Sequence, residues 1–129
     1  MENKKILVVD DEPDLTFLFK MVLEDEGFTV DAHTDSLSAF SDYKPNKYDL
    51  LILDIKMPNM HGFEPHRKMK ELDNAVKVCF MTASEMYYET FREKEHSSLS
   101  KDLFIHKPIE NEEMVKKIHR ILDSKYVSL

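Results

Sequence analysis

Three short apolar runs in this sequence end in residues with chemistry to offer. Ile6-Leu7-Val8-Val9 is followed by Asp10-Asp11, Leu50 to Leu53 by Asp54, and Val78 to Met81 by Thr82. A fourth short stretch, Leu103-Phe104-Ile105, leads into His106-Lys107-Pro108. Taken singly, each is ordinary: an Asp after a strand is mostly a turn residue or helix cap, a Thr there an N-cap, a Lys-Pro a loop. Their recurrence at the ends of successive apolar runs is what points to a site. Asp10, Asp11, Asp54 and Lys107 together carry a net charge of −2, which is costly where water is partly excluded. A divalent cation would bring that sum to zero. Hard carboxylate oxygens, with no Cys and no obligatory His, favour Mg²⁺ over zinc, with Mn²⁺ as a substitute. Asp10 and Asp11 would anchor the ion and Asp54 would share it. An aspartate beside such an ion can attack a phosphoryl group, because that step depends mostly on positioning and on neutralising the equatorial oxygens. Lys107 and the ion would hold two of those oxygens and the Thr82 hydroxyl the third.

Those side chains need a scaffold that brings the run ends together. Four consecutive apolar residues rich in Val, Ile and Leu suit a strand buried on both faces, as in a parallel sheet. Phe28-Thr29-Val30-Asp31-Ala32-His33 alternates as a half-exposed strand would, and Leu103-Phe104-Ile105 is a short strand bounded by charge. Between the strands the spacing turns helical. Leu15, Leu18, Phe19, Val22 and Leu23 form one stripe, with Pro13 placed for the first turn and Gly27 for the C-terminal cap. Met114, Val115, Ile118, Ile121 and Leu122 form another stripe. Leu37, Phe40 and Tyr43 predict a short helix, Phe63 to Leu72 a further one, and Glu85 to Ser98 a weaker amphipathic segment. Five strand–helix alternations give an α/β domain with a parallel sheet, the fully apolar strands in the middle and the other two at the edges. Ligands of such open sheets bind outside the carboxyl ends of the strands, where all five candidate site residues fall.

Composition sets the outer bounds. The chain of 129 residues sets 25 Asp and Glu against 18 Lys and Arg, a formal net charge of −7, and is 42% hydrophobic. That is one domain with a packed core and a solvated surface, without a repeat or a dividing linker. The acidic balance argues against direct nucleic-acid contact, which needs clustered Lys and Arg. Cys79 is the sole cysteine, so no intrachain disulfide forms and a reducing compartment is expected. Lys4-Lys5 before Ile6 to Val9 has the order of a signal peptide, but the apolar run is too short and Asp10-Asp11 ends it. No run approaches the ~20 residues of a membrane span. A cytoplasmic domain without membrane contact is the expectation.

The chain resembles the receiver domain of two-component response regulators over nearly its whole length. The stretches that carry the likeness are Ile6-Leu7-Val8-Val9-Asp10-Asp11-Glu12-Pro13-Asp14, Leu51-Ile52-Leu53-Asp54-Ile55-Lys56-Met57-Pro58-Asn59-Met60-His61-Gly62, Met81-Thr82-Ala83 and Lys107-Pro108. The resemblance implies a doubly wound, flavodoxin-like five-stranded parallel sheet of order 2-1-3-4-5, as one domain over 1–129 with its core at about 4–123. It implies that Asp54 takes a phosphoryl group from a histidine kinase or phosphotransfer protein. Asp11 would be the direct carboxylate ligand of Mg²⁺, with Asp10 acting mainly through water and the Lys56 backbone carbonyl completing the protein ligands. Thr82, Ala83 and Lys107 would bind the phosphoryl oxygens, and Pro58, Gly62 and Pro108 would be structural. The Lys107–Pro108 bond is expected cis. Thr82 and Phe104 match the paired switch residues. The resemblance implies that phosphorylation would draw Thr82 in, that Phe104 would turn inward behind it, and that the surface of the fourth helix, fifth strand and fifth helix would change for a downstream protein target.

Some features depart from the family pattern. The stretch from Thr82 to Lys107 is longer than usual, and Glu95-His96-Ser97-Ser98-Leu99-Ser100-Lys101 replaces a common Gly-Ala pair before the fifth strand. His61 stands where an acid is usual, Pro65 suits only the first turn of its helix, and Lys56 and Ser84 resemble positions that tune phosphate lifetime. His61 and His66 are poorly spaced for metal binding on one helix face. Two other functions compete. A haloacid-dehalogenase-like phosphatase would need a second Asp two residues after its nucleophile, and Lys56 holds that place. A receiver fold serving as a phosphorylation-independent interaction module would not need all five site residues. The reading is therefore of a phosphoacceptor rather than an enzyme, without an output domain in these residues, as a monomer or a phosphorylation-linked homodimer.

Overall fold

A computed structural model of the chain describes residues 4–41, 43–54, 76–82, 89 and 103–123. Five strands, β1 (Lys5–Val9), β2 (Thr29–His33), β3 (Leu50–Asp54), β4 (Lys77–Thr82) and β5 (Phe104–His106), form one sheet in the order β2-β1-β3-β4-β5. Every pairing is parallel. Three helices accompany them among the described residues: α1 (Pro13–Asp25), α2 (Ser36–Ser41) and α3 (Asn111–Asp123). The helices expected over 63–72 and 85–98 lie outside the described residues, Glu89 apart.

The apolar runs take the central places, as their composition demands. Residues 6–8 of β1, 50–52 of β3 and 78–81 of β4 are fully buried, since layers cover both faces of the sheet there. The edge strands differ in detail from their expected form. In β2 only Val30 is fully buried, while Asp31, Ala32 and His33 are all half-buried, so the alternation is blurred. Phe28, expected to open that strand, closes α1 instead. Its N–H donates to the Leu23 carbonyl (3.2 Å) while the Gly27 N–H donates to Glu24 (3.0 Å). This paired pattern satisfies carbonyls that a helix end leaves open, and it needs the left-handed turn that Gly27 supplies at φ 101°. A Cβ on Gly27 would meet nothing within 4 Å, so backbone conformation rather than space selects glycine here. β5 begins one residue later than expected, at Phe104, and extends to His106.

On α1, Phe19 and Leu23 are buried and Leu15 and Val22 partly so, but Leu18 is 41% exposed. Leu18 lies ~100° of arc from Phe19, off the buried face, and Thr16 takes an inward place that the apolar stripe did not reserve. α2 stops at Ser41, short of Tyr43. Tyr43 is buried all the same, its ring stacked on Tyr48 at 5.8 Å between centroids. α3 presents Met114, Ile118 and Ile121 to the core as its stripe predicts. Lys77, at the start of β4, donates from Nζ to the carbonyls of Ile121 (3.1 Å) and Leu122 (2.8 Å) and so caps the last turn of α3. No helix among the described residues is long and apolar enough to cross a membrane.

Cys79 is wholly buried in β4, and burial pushes its thiol up to about 12 against the opposing pull of Lys117. The thiolate is the reactive form. The folded protein at pH 8 is therefore expected to leave Cys79 unreacted with a disulfide reagent over the time in which the urea-unfolded chain reacts completely. Equal rates in the two states would contradict its placement.

Candidate functional site

The site is built from the carboxyl ends of β1, β3, β4 and β5. Asp10 follows Val9, and its N–H continues the ladder by donating to the His33 carbonyl (3.1 Å). It is buried, and its Oδ1 accepts from the Glu12 N–H (3.0 Å), closing an Asx turn that swings the chain from strand into helix. The Thr16 hydroxyl lies 2.9 Å from the Asp10 carbonyl and 2.8 Å from that of Glu12, its one proton shared between them. Thr16 thus ties the first turn of α1 to the end of β1. Thr16→Val is expected to lower the unfolding free energy by about 1–2 kcal/mol, the cost of a buried carbonyl deprived of its donor. Chemical denaturation measures this, and an unchanged midpoint would deny the tie.

From β5, the Lys107 N–H donates to the Thr82 carbonyl (2.8 Å) and the side chain reaches across the sheet edge. Its Nζ lies 2.8 Å from Asp10 Oδ2, 3.1 Å from Glu12 Oε1 and 3.5 Å from Asp54 Oδ2. Burial alone would lower the pKa of Lys107. The hydrogen bond to Asp10, the charges of Asp54 and Asp10 and the bond to Glu12 outweigh it and hold the ammonium above its usual range. A raised cation contributes stability that is complete below its unfolded pKa of ~10.4 and is lost as pH rises through the folded value, so this tie fails only in strong alkali. The Lys107–Pro108 peptide is cis, as expected.

Asp10, Asp11, Glu12 and Asp54 each bring one carboxylate oxygen to a cluster in which all lie within 4.8 Å of one another. Asp10 and Asp54 are buried, whereas Asp11 and Glu12 face solvent. With Lys107 the group carries a net charge of −3, one unit more negative than the sequence suggested. The additional member is Glu12. Its place beside Asp10-Asp11 at a strand end is the signal that the sequence carries for it. The donor set is all hard oxygen, excessively negative and open on one side, which fits a hard divalent cation. Thr82 is fully buried at the end of β4, one residue beyond Met81, the register partner of Asp54. Phe104 is 1% exposed, its ring stacked on Phe80 at 5.4 Å between centroids. Lys56, Pro58, Gly62 and Ala83, with His61, Pro65, His66 and Ser84, lie outside the described residues.

The response regulator receiver domain family matches residues 6–119, and the chain belongs to it. The fold, with strand order 2-1-3-4-5, is that of its CheY-like members. Over 108 residues the chain is 38% identical to Sensor protein EvgS of Escherichia coli (strain K12), covering 84% of this chain and 9% of that protein. It is 31% identical to Sporulation initiation phosphotransferase F of Bacillus subtilis (strain 168), covering 97% of this chain and 98% of that one. Among solved structures, response regulator protein TrrA from Thermotoga maritima, in complex with Mg²⁺-BeF, is 31% identical with a TM-score of 0.71, covering 92% and 98% of the two chains. The chain spans about a tenth of the sensor protein and about half the length of three transcriptional and response regulators that it also matches. It is thus a receiver domain of the two-component, phosphorelay type.

Proposed function

We propose that Asp54 is the phosphoacceptor of this receiver domain, acting with Mg²⁺ held by Asp10, Asp11 and Asp54 and by the Lys56 backbone carbonyl. The observation that carries the reading is the convergence of four carboxylates and one buried ammonium at the carboxyl edge of the sheet. The ion, when bound, neutralises the carboxylates and draws charge from the phosphoryl oxygens. Asp54 attacks phosphorus through a carboxylate oxygen. The P–N bond of a donor phosphohistidine, or the P–O bond of an acyl phosphate, breaks, and its electron pair leaves with the donor. Lys107, whose Nζ lies 3.5 Å from Asp54 Oδ2, would pair with one phosphoryl oxygen, and Thr82 and Ala83 would donate to the others. The donor is a histidine kinase or phosphotransfer protein, and the modified domain is read by a downstream protein through the surface around α3 and β5. The chain acts as one receiver domain in the cytoplasm, as a monomer or a homodimer formed on phosphorylation.

The test is labelling with acetyl phosphate. A phosphoryl mass increment that needs Mg²⁺ and is lost to hydroxylamine, as an acyl phosphate is, supports the reading. Repeated turnover of a small phosphate ester without a stable adduct would instead favour a phosphatase.

Phe104 bears on the switch. The ring is buried against Phe80 in the unmodified protein, so a switch through Phe104 acts by repacking a core side chain. Phe104→Ala would empty a core position at a cost of ~3–5 kcal/mol, so Phe104→Leu is the cleaner variant. It is expected to label like the wild type yet to narrow the difference in partner affinity between modified and unmodified forms. An undiminished difference would remove Phe104 from the switch.

A further inference from the structure

Glu12 holds the first position before α1, where a side chain normally caps the helix, yet it makes no capping hydrogen bond. Its carboxylate reaches instead to Lys107, 3.1 Å away, although the glutamate side chain is 52% exposed and the lysine side chain only 6%. The backbone around it is pinned on both sides. Its N–H is held by Asp10 Oδ1, and its carbonyl by the Thr16 hydroxyl and N–H. A glutamate fixed at its backbone, uncommitted to its own helix and aimed at the cation of the site is placed to hold that cation back.

We propose that Glu12 is a positioning residue that latches Lys107 toward the β1 end of the site and so competes with the phosphoryl group for the ammonium. Lys107 Nζ sits 2.8 Å from Asp10 and 3.1 Å from Glu12 but 3.5 Å from Asp54, where the proposed function requires it, so Glu12 adds to a hold that Asp10 already has on the β1 side. Every modification then has to draw Lys107 away from Glu12, and every release of phosphate restores the contact. The latch shortens the lifetime of the modified state and raises the donor strength needed to reach it. This inference rests on Asp54 being the phosphoacceptor.

Two variants separate a latch from simple charge repulsion. Glu12→Gln removes charge and ion pair together. Glu12→Asp keeps the charge but is one methylene shorter, and Asp at this position turns to cap its own helix. Beryllofluoride affinity at saturating Mg²⁺ is measured on the whole chain. A latch predicts that both variants bind about two- to fivefold more tightly than wild type, the scale of an ion pair with one exposed partner. Repulsion through space predicts tighter binding for Glu12→Gln alone, and that result, or unchanged binding in both variants, overturns the latch. The second readout needs neither metal nor phosphate analogue. The Nζ resonance of Lys107, followed by NMR in the metal-free protein at neutral pH, shifts in both variants if the contact exists, and an unchanged resonance overturns it. A wild type that binds no beryllofluoride defeats the proposed phosphoacceptor instead, and the Lys107 resonance then decides the contact alone.

Discussion

Asp54→Asn is expected to abolish Mg²⁺-dependent labelling by acetyl phosphate while leaving the sheet intact. An amide has no carboxylate oxygen with which to attack phosphorus, and no other acid of the cluster ends β3. Undiminished labelling would move the nucleophile elsewhere. The same substitution carries a stability signature. Among the described residues, three carboxylates oppose the charge of Asp54 in the metal-free protein and the Lys107 ammonium favours it. Two like charges at the 4.8 Å limit of the cluster repel by ~3.5 kcal/mol at an effective dielectric near 20, and closer pairs by more, so removing one relieves more than it forfeits. Metal-free Asp54→Asn is therefore expected to be more stable than the wild type, by about 1 kcal/mol once solvent screening at the open side is allowed for. Adding Mg²⁺ should raise the melting temperature of the wild type by the larger amount, because an ion that binds the native state stabilises it in proportion to its affinity. Thermal unfolding in EDTA and in Mg²⁺ measures both effects.

Lys107→Ala should have the opposite effect on the metal-free protein. The ammonium is the cation that faces Asp10, Glu12 and Asp54 together, and its removal leaves four carboxylates within 4.8 Å without it. Breaking a fully buried ion pair costs ~3–5 kcal/mol, and the exposure of Asp11 and Glu12 reduces the expected loss here to about 2–3 kcal/mol. Mg²⁺ should recover most of it, since a divalent ion neutralises the same oxygens. Labelling should fall at least about tenfold even in saturating Mg²⁺, the cost of losing one charged donor to the transferring group. Lys107→Arg, which keeps the charge but not the compact point donor, should retain stability better than labelling. If Lys107→Ala were as stable as the wild type in EDTA, the ammonium would not be balancing the cluster. Denaturant unfolding with and without Mg²⁺ gives the answer.

The residues that could be found in the sequence are those whose position follows from local pattern. A fully apolar run can only be a buried strand here, so whatever polar residue ends it must emerge at the sheet edge. Asp10, Asp54 and Thr82 were legible on that ground. Lys107 was legible as a strand-end residue, but its hydrogen bond to Asp10 spans 97 positions and depends on β5 starting at Phe104, one residue later than the apolar pattern suggested. Glu12 and Thr16 stayed hidden because polar residues in the first turn of a helix ordinarily serve that helix. Only the tertiary partner shows that one faces Lys107 and the other clamps the turn. Leu18 and Thr16 exchanged their expected places for a similar reason: the width of the buried arc depends on what packs against α1. Phe28 and Tyr43 sit one or two residues outside the elements to which their apolar character assigned them. A hydrophobic residue is buried equally well in a cap or a loop.

β4 holds something at each end. Thr82 closes it at the acidic cluster, and Lys77 opens it by gripping the last carbonyls of α3, with about 17 Å of fully extended chain between them. The strand is paired with β3 from Lys77 to Met81 and with β5 from Phe80 to Thr82, and so resists bending. It behaves as a strut rather than a string, able to push as well as pull. A displacement of the Thr82 end along the strand axis would arrive at the far end of α3 with little loss. The terminus of that helix is mechanically a neighbour of the site although it stands on the opposite rim of the molecule.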